Sequence, residues 1–151
     1  SPRVERAQQR YAETARCLRR RRRHPVLMNN KRLGTEFERE FCELLAARGF
    51  WVHFMAPSAS EAQPCDIIAC KNGTPFLFDC KTCEKNVFPL SRVENNQILA
   101  FERFLRTGNK HAFIAIKHDN KIYVIPYTLL RKNGGVSLFD FFEAKEWEFW
   151  K

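Results

Sequence analysis

The chain has 151 residues, of which 44% are hydrophobic and 13% aromatic, with 14 Phe; that is about one domain in length and too apolar to be disordered throughout. No apolar run approaches the roughly 18 residues needed to cross a bilayer, and the first residues lack the apolar core of a secretory signal, so the sequence reads as cytoplasmic with no membrane partner. The net charge of +9 is unevenly spread: residues 1–33 carry 11 Lys or Arg against two acidic residues, while residues 34–151 carry 15 of each.

That excess is concentrated in Arg19, Arg20, Arg21, Arg22 and Arg23, with Lys31 and Arg32 behind them. A polyanion such as nucleic acid is the natural partner of this block; a solvated tail is the alternative. Val4, Ala7, Tyr11, Ala15 and Leu18 recur at helical spacing, and His24-Pro25 should stop that helix. Residues 1–33 are therefore expected to form a basic helical arm and residues 34–151 the folded domain, with a domain start at Met28 as the other reading.

In "GTEFEREFCELLAARGF", Phe37, Phe41, Leu44 and Leu45 form an apolar stripe and Gly49 supplies a stop, which predicts a helix over 35–48 with Glu36, Glu40 and Glu43 on its outer face. "FWVHFM" (50–55) reads as a strand and "APSASEAQP" as a polar loop. Asn72-Gly73, with apolar flanks, predicts a hairpin over residues 65–81. "NVFPLSRVENNQILAFERFLRTG" reads as a loop and then a helix near 91–106 with Ile98, Phe101 and Leu105 on one side; "HAFIAIK" and "KIYVIPY" pair around "HDN". A short helix from Thr128, a break at Gly134-Gly135 and an unassigned aromatic tail complete the chain.

The hairpin carries the chemistry. A two-residue Asn72-Gly73 loop pairs Lys71 with Thr74 and, counting outward, Asp66 with Asp79. Side chains so opposed have Cβ atoms about 5 Å apart on one sheet face, where like charges repel, and a cation such as Mg²⁺, held by oxygen ligands, compensates. Lys81, two residues beyond Asp79, points to the same face. A divalent ion there suits phosphate chemistry. The competing reading makes Asp66 and Asp79 loop caps or sheet-edge partners of Lys81 and Lys71. Six Cys without a secretion signal suggest thiols; Cys80 and Cys83 have CxxC spacing, but small apolar core residues is the preferred reading over a zinc site with Cys65 and Cys70.

The pattern Asp66, then Asp79-Cys80-Lys81 after a strand-turn-strand, resembles the PD-(D/E)xK nuclease superfamily. "GTEFERE" is similar to the first helix of Holliday junction resolvases, matching Gly34 and an active-site Glu at Glu38. "FPLSRVENNQ" is similar to the RecU-type segment, matching Phe88, Pro89, Leu90 and Gln97. The resemblance to resolvases of the RecU and archaeal type spans roughly residues 34–127. It implies an α/β fold with a restriction-endonuclease-like core, a mixed sheet flanked by helices. It also implies Mg²⁺ (or Mn²⁺) held by Asp66, Asp79, the Cys80 backbone carbonyl and Glu38, with Lys81 assisting a water and Gln97 as an accessory residue. The activity implied is an endonuclease of recombination and repair, a homodimer cutting four-way DNA junctions and associated with the nucleoid. The sequence departs from the pattern at Cys65, where Pro would precede the Asp, at Asp79, where resolvases often have Glu, and in a Gly34–Asp66 run too short for the RecU stalk. Glu38 has a competing role in a capping box begun by Thr35, and Gln97 one as a surface amide. Two other functions stay open: a nuclease of the same superfamily acting on linear or damaged DNA, and a DNA-binding module without cleavage.

Overall fold

A computed structural model describes residues 30–55, 65–141 and 143–146, together with Arg6, Gln8 and Gln9. The expected arm helix and the Arg19–Arg23 run lie outside the described residues. Helix α1 (Asn30–Ala47) begins earlier than the expected residue 35, inside the stretch that composition assigns to the arm. Thr35 is therefore interior to the helix and not its N-cap, which removes the capping-box role that competed for Glu38. The helix ends where Gly49 takes a φ of 89°, accessible at little cost only without a Cβ.

Five strands form the main sheet: β1 (Trp51–Phe54), β2 (Ile67–Lys71), β3 (Thr74–Thr82), β5 (His111–His118) and β6 (Lys121–Pro126), in the order β1-β2-β3-β5-β6. All neighbours are antiparallel except β3 and β5, which run parallel, so the sheet is mixed. A parallel pair needs a long crossover. Here it contains a three-residue strand β4 (Val87–Pro89), a 3₁₀ turn (Leu90–Arg92) and helix α2 (Asn95–Arg106). Helix α3 (Tyr127–Asn133) follows β6, and β7 (Gly135–Ser137) returns to pair with β4 in a second, two-stranded sheet. That small sheet is absent from the sequence reading, because three-residue strands some fifty positions apart leave no detectable period.

Both hairpins turn on residues that tolerate positive φ: Asn72 and Gly73 at 52° and 76°, Asp119 and Asn120 at 49° and 60°. Two consecutive positive φ values give a type I′ turn, whose twist matches that of the strands it joins. The first fixes the register Lys71↔Thr74 through Ile67↔Phe78, as expected.

Strand β3 is buried on both faces, and its alternation divides the core. Phe76, Phe78 and Cys80 face α1, where they meet Phe37, Phe41 and Leu45. The Phe41 and Phe78 rings pack edge-on, with centroids 5.1 Å apart. On the opposite face Leu77 joins Ile114, Ile116 and Ile125 beneath Phe101 of α2 and Tyr127 and Leu130 of α3. The outer face expected for α1 is less open than its charges suggest, for Glu40 accepts a 2.6 Å ion pair from Lys117 of β5. Glu102 of α2 accepts from Tyr127 Oη at 2.8 Å and from Arg131 at 2.8 and 3.0 Å, tying α2 to α3. Among the described residues, no helix is long and apolar enough to cross a membrane.

Candidate active site

The strand order puts β3 third of five, and its alternation sends Asp79 and Lys81 to the α2 face together with Leu77. Asp79 is fully buried. A carboxylate so placed is costly unless it is compensated by hydrogen bonds or a cation. Gln97, on the first turn of α2, supplies one hydrogen bond: its Nε2 donates to Asp79 Oδ1 at 2.7 Å. The Gln97 amide is itself held, its Oε1 accepting from the Glu94 backbone N–H at 3.1 Å and from Lys81 Nζ at 3.3 Å. Gln97 is thus a buried hub and not the surface amide that helical position alone would suggest.

The second oxygen, Asp79 Oδ2, is buried and makes no hydrogen bond. Lys81 Nζ lies 3.3 Å from it, at ion-pair distance but without hydrogen-bond alignment.

Asp66 stands at the entrance to β2. Regular pairing stops at Ile67↔Phe78, so the expected Asp66–Asp79 rung is not part of the ladder. Instead the Asp66 N–H donates to the Phe78 carbonyl at 3.2 Å, and Asp66 Oδ2 accepts the Cys80 N–H at 2.8 Å. The chain bends here, one residue out of step with the ladder. The two carboxyls still meet, and burial followed by contact with Asp66 pushes the Asp79 carboxyl well above its ordinary range.

Glu38 approaches from α1. Burial first, and then the Asp66 charge, push its carboxyl from 4.5 up to about 7, against the opposing pull of Lys81 and Arg39. The structure thereby brings Asp66, Asp79, Lys81, Gln97 and Glu38 into one electrostatic neighbourhood. Lys71, the other cation considered for the carboxylates, instead lies over the Phe50 ring at 5.0 Å. Lys31 and Arg32 fall on the first turn of α1, and their side chains are outside the described set.

Cys42, Cys65 and Cys80 are buried, while Cys70 and Cys83 are partly exposed. Cys65 and Cys80 are buried on opposite faces of the sheet, and burial pushes the Cys65 thiol up to about 12. Cys83 Sγ donates to the Lys85 carbonyl at 2.9 Å. Among the described residues no three His, Cys, Asp or Glu side chains are grouped to hold a metal ion unaided. Two touching carboxylates with one buried, unbonded oxygen nevertheless fit Mg²⁺, which usually takes one or two carboxylates and completes its shell with water and substrate phosphate.

Sequence reasoning missed the Glu94 amide that anchors Gln97. A Glu-Asn-Asn-Gln stretch is an unusual form of capping box, and only its Gln at the third helical position hinted at it. Gln97→Ala would leave Asp79 Oδ1 buried without its donor, and is expected to cost about 1–3 kcal/mol. The loss should appear as a lower urea midpoint at unchanged slope.

The family model described as archaeal Holliday junction resolvase (Hjc) matches residues 29–140. The chain is 33% identical over 103 residues to the crossover junction endodeoxyribonuclease Hjc of Methanocaldococcus jannaschii, a match covering 68% of this chain and 72% of that protein. Hjc from Archaeoglobus fulgidus, a Holliday junction resolvase from an archaeal hyperthermophile, shares the fold with a TM-score of 0.60 at 21% identity, over 75% of this chain and 98% of that one. The mixed sheet flanked by helices is accordingly the restriction-endonuclease-like fold expected from the strand-turn-strand pattern. With the family model spanning most of the sequence and a curated relative a third identical, the chain belongs to the archaeal Holliday junction resolvase family.

Proposed function

We propose that this protein is an endodeoxyribonuclease that cuts branched DNA, with the four-way junction as its substrate. The observation that carries the reading is the buried Asp79, whose Oδ2 makes no hydrogen bond beside Asp66 and Lys81. An oxygen desolvated and left open in this way suits a cation site better than a structural ion pair. The names of the relatives, a crossover junction endodeoxyribonuclease and a Holliday junction resolvase, support the same substrate.

Asp66, Asp79 and the Cys80 backbone carbonyl would hold Mg²⁺ or Mn²⁺, with Glu38 completing the site. Bound there, the ion supplies a more acidic water and stabilises charge on phosphate oxygens. The residues of the chain do the rest. Lys81 presents an ammonium to the attacking water and screens charge on the phosphate. Gln97 fixes the Asp79 carboxylate and the Lys81 ammonium relative to each other through its two ends. Glu38, titrating near neutrality, accepts a proton at its carboxylate.

Residues 1–33 act as a basic arm on the nuclease domain of residues 34–151, where Arg19–Arg23, Lys31 and Arg32 add phosphate contacts that raise affinity without reading sequence. A homodimer would set two such sites on two of the four strands of a junction, which matches a symmetric cut, and a DNA substrate is consistent with association with the nucleoid.

The test is a purified-protein cleavage assay on a synthetic four-way junction and on linear duplex, each with Mg²⁺ or with EDTA. Metal-dependent paired nicks on the junction alone are expected, and Asp66→Asn and Lys81→Ala should each lower the rate at least about 100-fold. Equal cutting of linear duplex would point to a different nuclease of the same fold; unchanged cutting by either variant would remove the assigned site.

A further inference from the structure

We propose that Arg92 is a phosphate-binding residue that grips the DNA backbone beside the scissile position. The inference rests on the nuclease reading above and extends it to a residue outside the carboxylate–lysine set. Arg92 ends the 3₁₀ turn that precedes α2, two residues before Glu94, whose N–H anchors Gln97. Its Nη1 donates to the carbonyl of Thr82 at 2.9 Å, and Thr82 directly follows Lys81 on β3. Its guanidinium carbon sits 5.3 Å from the centroid of the Phe88 ring, which is itself fully buried. The side chain is exposed all the same. One hydrogen bond and one ring face therefore fix the guanidinium plane, while most of its five N–H donors remain turned to solvent.

The usual explanation for such an arginine is a partner carboxylate. Among the described residues Arg92 pairs with none, and Glu94, the nearest acid in sequence, has its side chain engaged with the first turn of α2. A planar fork held in one orientation, without an anion of its own, has the geometry for bidentate contact with a phosphate. Immobilising it in the free protein also spares the side-chain ordering that binding would otherwise require. Three residues of strand separate Thr82 from Asp79, roughly 10 Å. With Thr82 set that far along β3 from Asp79, the phosphate proposed for Arg92 is one next to that being cut, its task being to set the register of the strand over the carboxylates.

The test pairs Arg92→Ala and Arg92→Lys with junctions in which one phosphate at a time, on either side of the cut, is a neutral methylphosphonate. Binding is measured in EDTA, single-turnover cleavage in Mg²⁺, and melting temperature throughout. Arg92→Ala is expected to weaken binding about 10-fold or more, with Arg92→Lys recovering only part of it. One methylphosphonate position should weaken the parent protein by a similar factor and add nothing in Arg92→Ala. The proposal is overturned if Arg92→Ala binds like the parent, or if every methylphosphonate effect persists undiminished in the variant, the result expected of an arginine that only braces Thr82. A parent protein that binds the junction but never cuts it sinks the nuclease reading, while the same binding cycle still decides Arg92.

Discussion

Asp79→Asn is expected to lower junction cleavage on the order of 1000-fold or more while leaving the metal-free protein at least as stable as the parent. Loss of activity follows from the donor set: a neutral amide is a poor ligand where a carboxylate had been held, and several kcal/mol of charge stabilisation disappear with the cation. Retained stability follows from the burial. In the parent, Asp79 sits desolvated against Asp66, with one oxygen unbonded, so its charge opposes folding. Asn has the same shape, its amide oxygen can keep the Gln97 bond, and relief of the repulsion with Asp66 offsets the loss of the 3.3 Å ion pair that Oδ2 makes with Lys81. Two measurements check this. Urea unfolding in EDTA should show a midpoint no lower than the parent's, and Mg²⁺ should raise the melting temperature of the parent but not of Asp79→Asn. A variant that is both inactive and markedly less stable would mean that Asp79 is chiefly a structural charge.

Glu38→Gln should remove part of the pH dependence of metal-free stability near neutrality, leaving the share that Asp79 contributes. The Glu38 carboxyl is raised from 4.5 to about 7 in the folded protein. Between those values the folded state binds more protons than the unfolded state, so stability falls as pH rises, and it levels off above pH 7. Asp79, raised in the same direction, adds to that slope. A rise of the size seen for Glu38 is worth about 3 kcal/mol for a fully enclosed group. Glu38 is only half-buried, and screening by the water that reaches it brings the expected gain from Glu38→Gln at pH 8 to about 1 kcal/mol. Cleavage should show the opposite trend, rising with pH through about 7 as Glu38 loses its proton and becomes able to act as a ligand or base. Chemical denaturation in EDTA and a cleavage-rate profile, both from pH 5 to 8.5, would test the pair. A flat stability profile for the parent would place Glu38 in open solvent and outside the site.

The elements that the sequence announces are those built from local rules. Asn72-Gly73 sets a register that the strands obey for five consecutive rungs, because a type I′ turn allows one continuation. Phe37, Phe41 and Leu45 mark the buried stripe of α1 because the period is undisturbed. What escaped is non-local or irregular. The bend at Asp66 shifts the carboxylate off the ladder and onto the Cys80 amide, and no turn rule encodes it. The early start of α1 at Asn30 was hidden by a Thr-Glu-Phe-Glu stretch that imitates a cap. At Gly135 a Cβ would lie 3.4 Å from both the Phe88 carbonyl oxygen and Pro89 Cα, a close approach of β4 and β7 visible only once the two segments are adjacent. For the site, Asp79 and Lys81 share a face by strand alternation alone, whereas the role of Gln97 depends on where α2 lands.

The position of β3, hydrogen-bonded on both edges and covered on both faces, bears on how the protein fails. Loops and edge strands open at small free-energy cost, but a central strand exchanges its amides only when the whole cooperative unit melts. Asp79, Cys80 and Lys81 therefore belong to the last segment to open, whereas Asp66 at the bend before β2 and Gln97 on the first turn of α2 lie outside that strand. Precision in the Asp79 geometry is inherited from the sheet, and so is vulnerability: a cavity made beneath Phe78, on the α1 face of the strand that carries Asp79, reduces the population of competent sites by the same factor as it reduces the population of folded molecules.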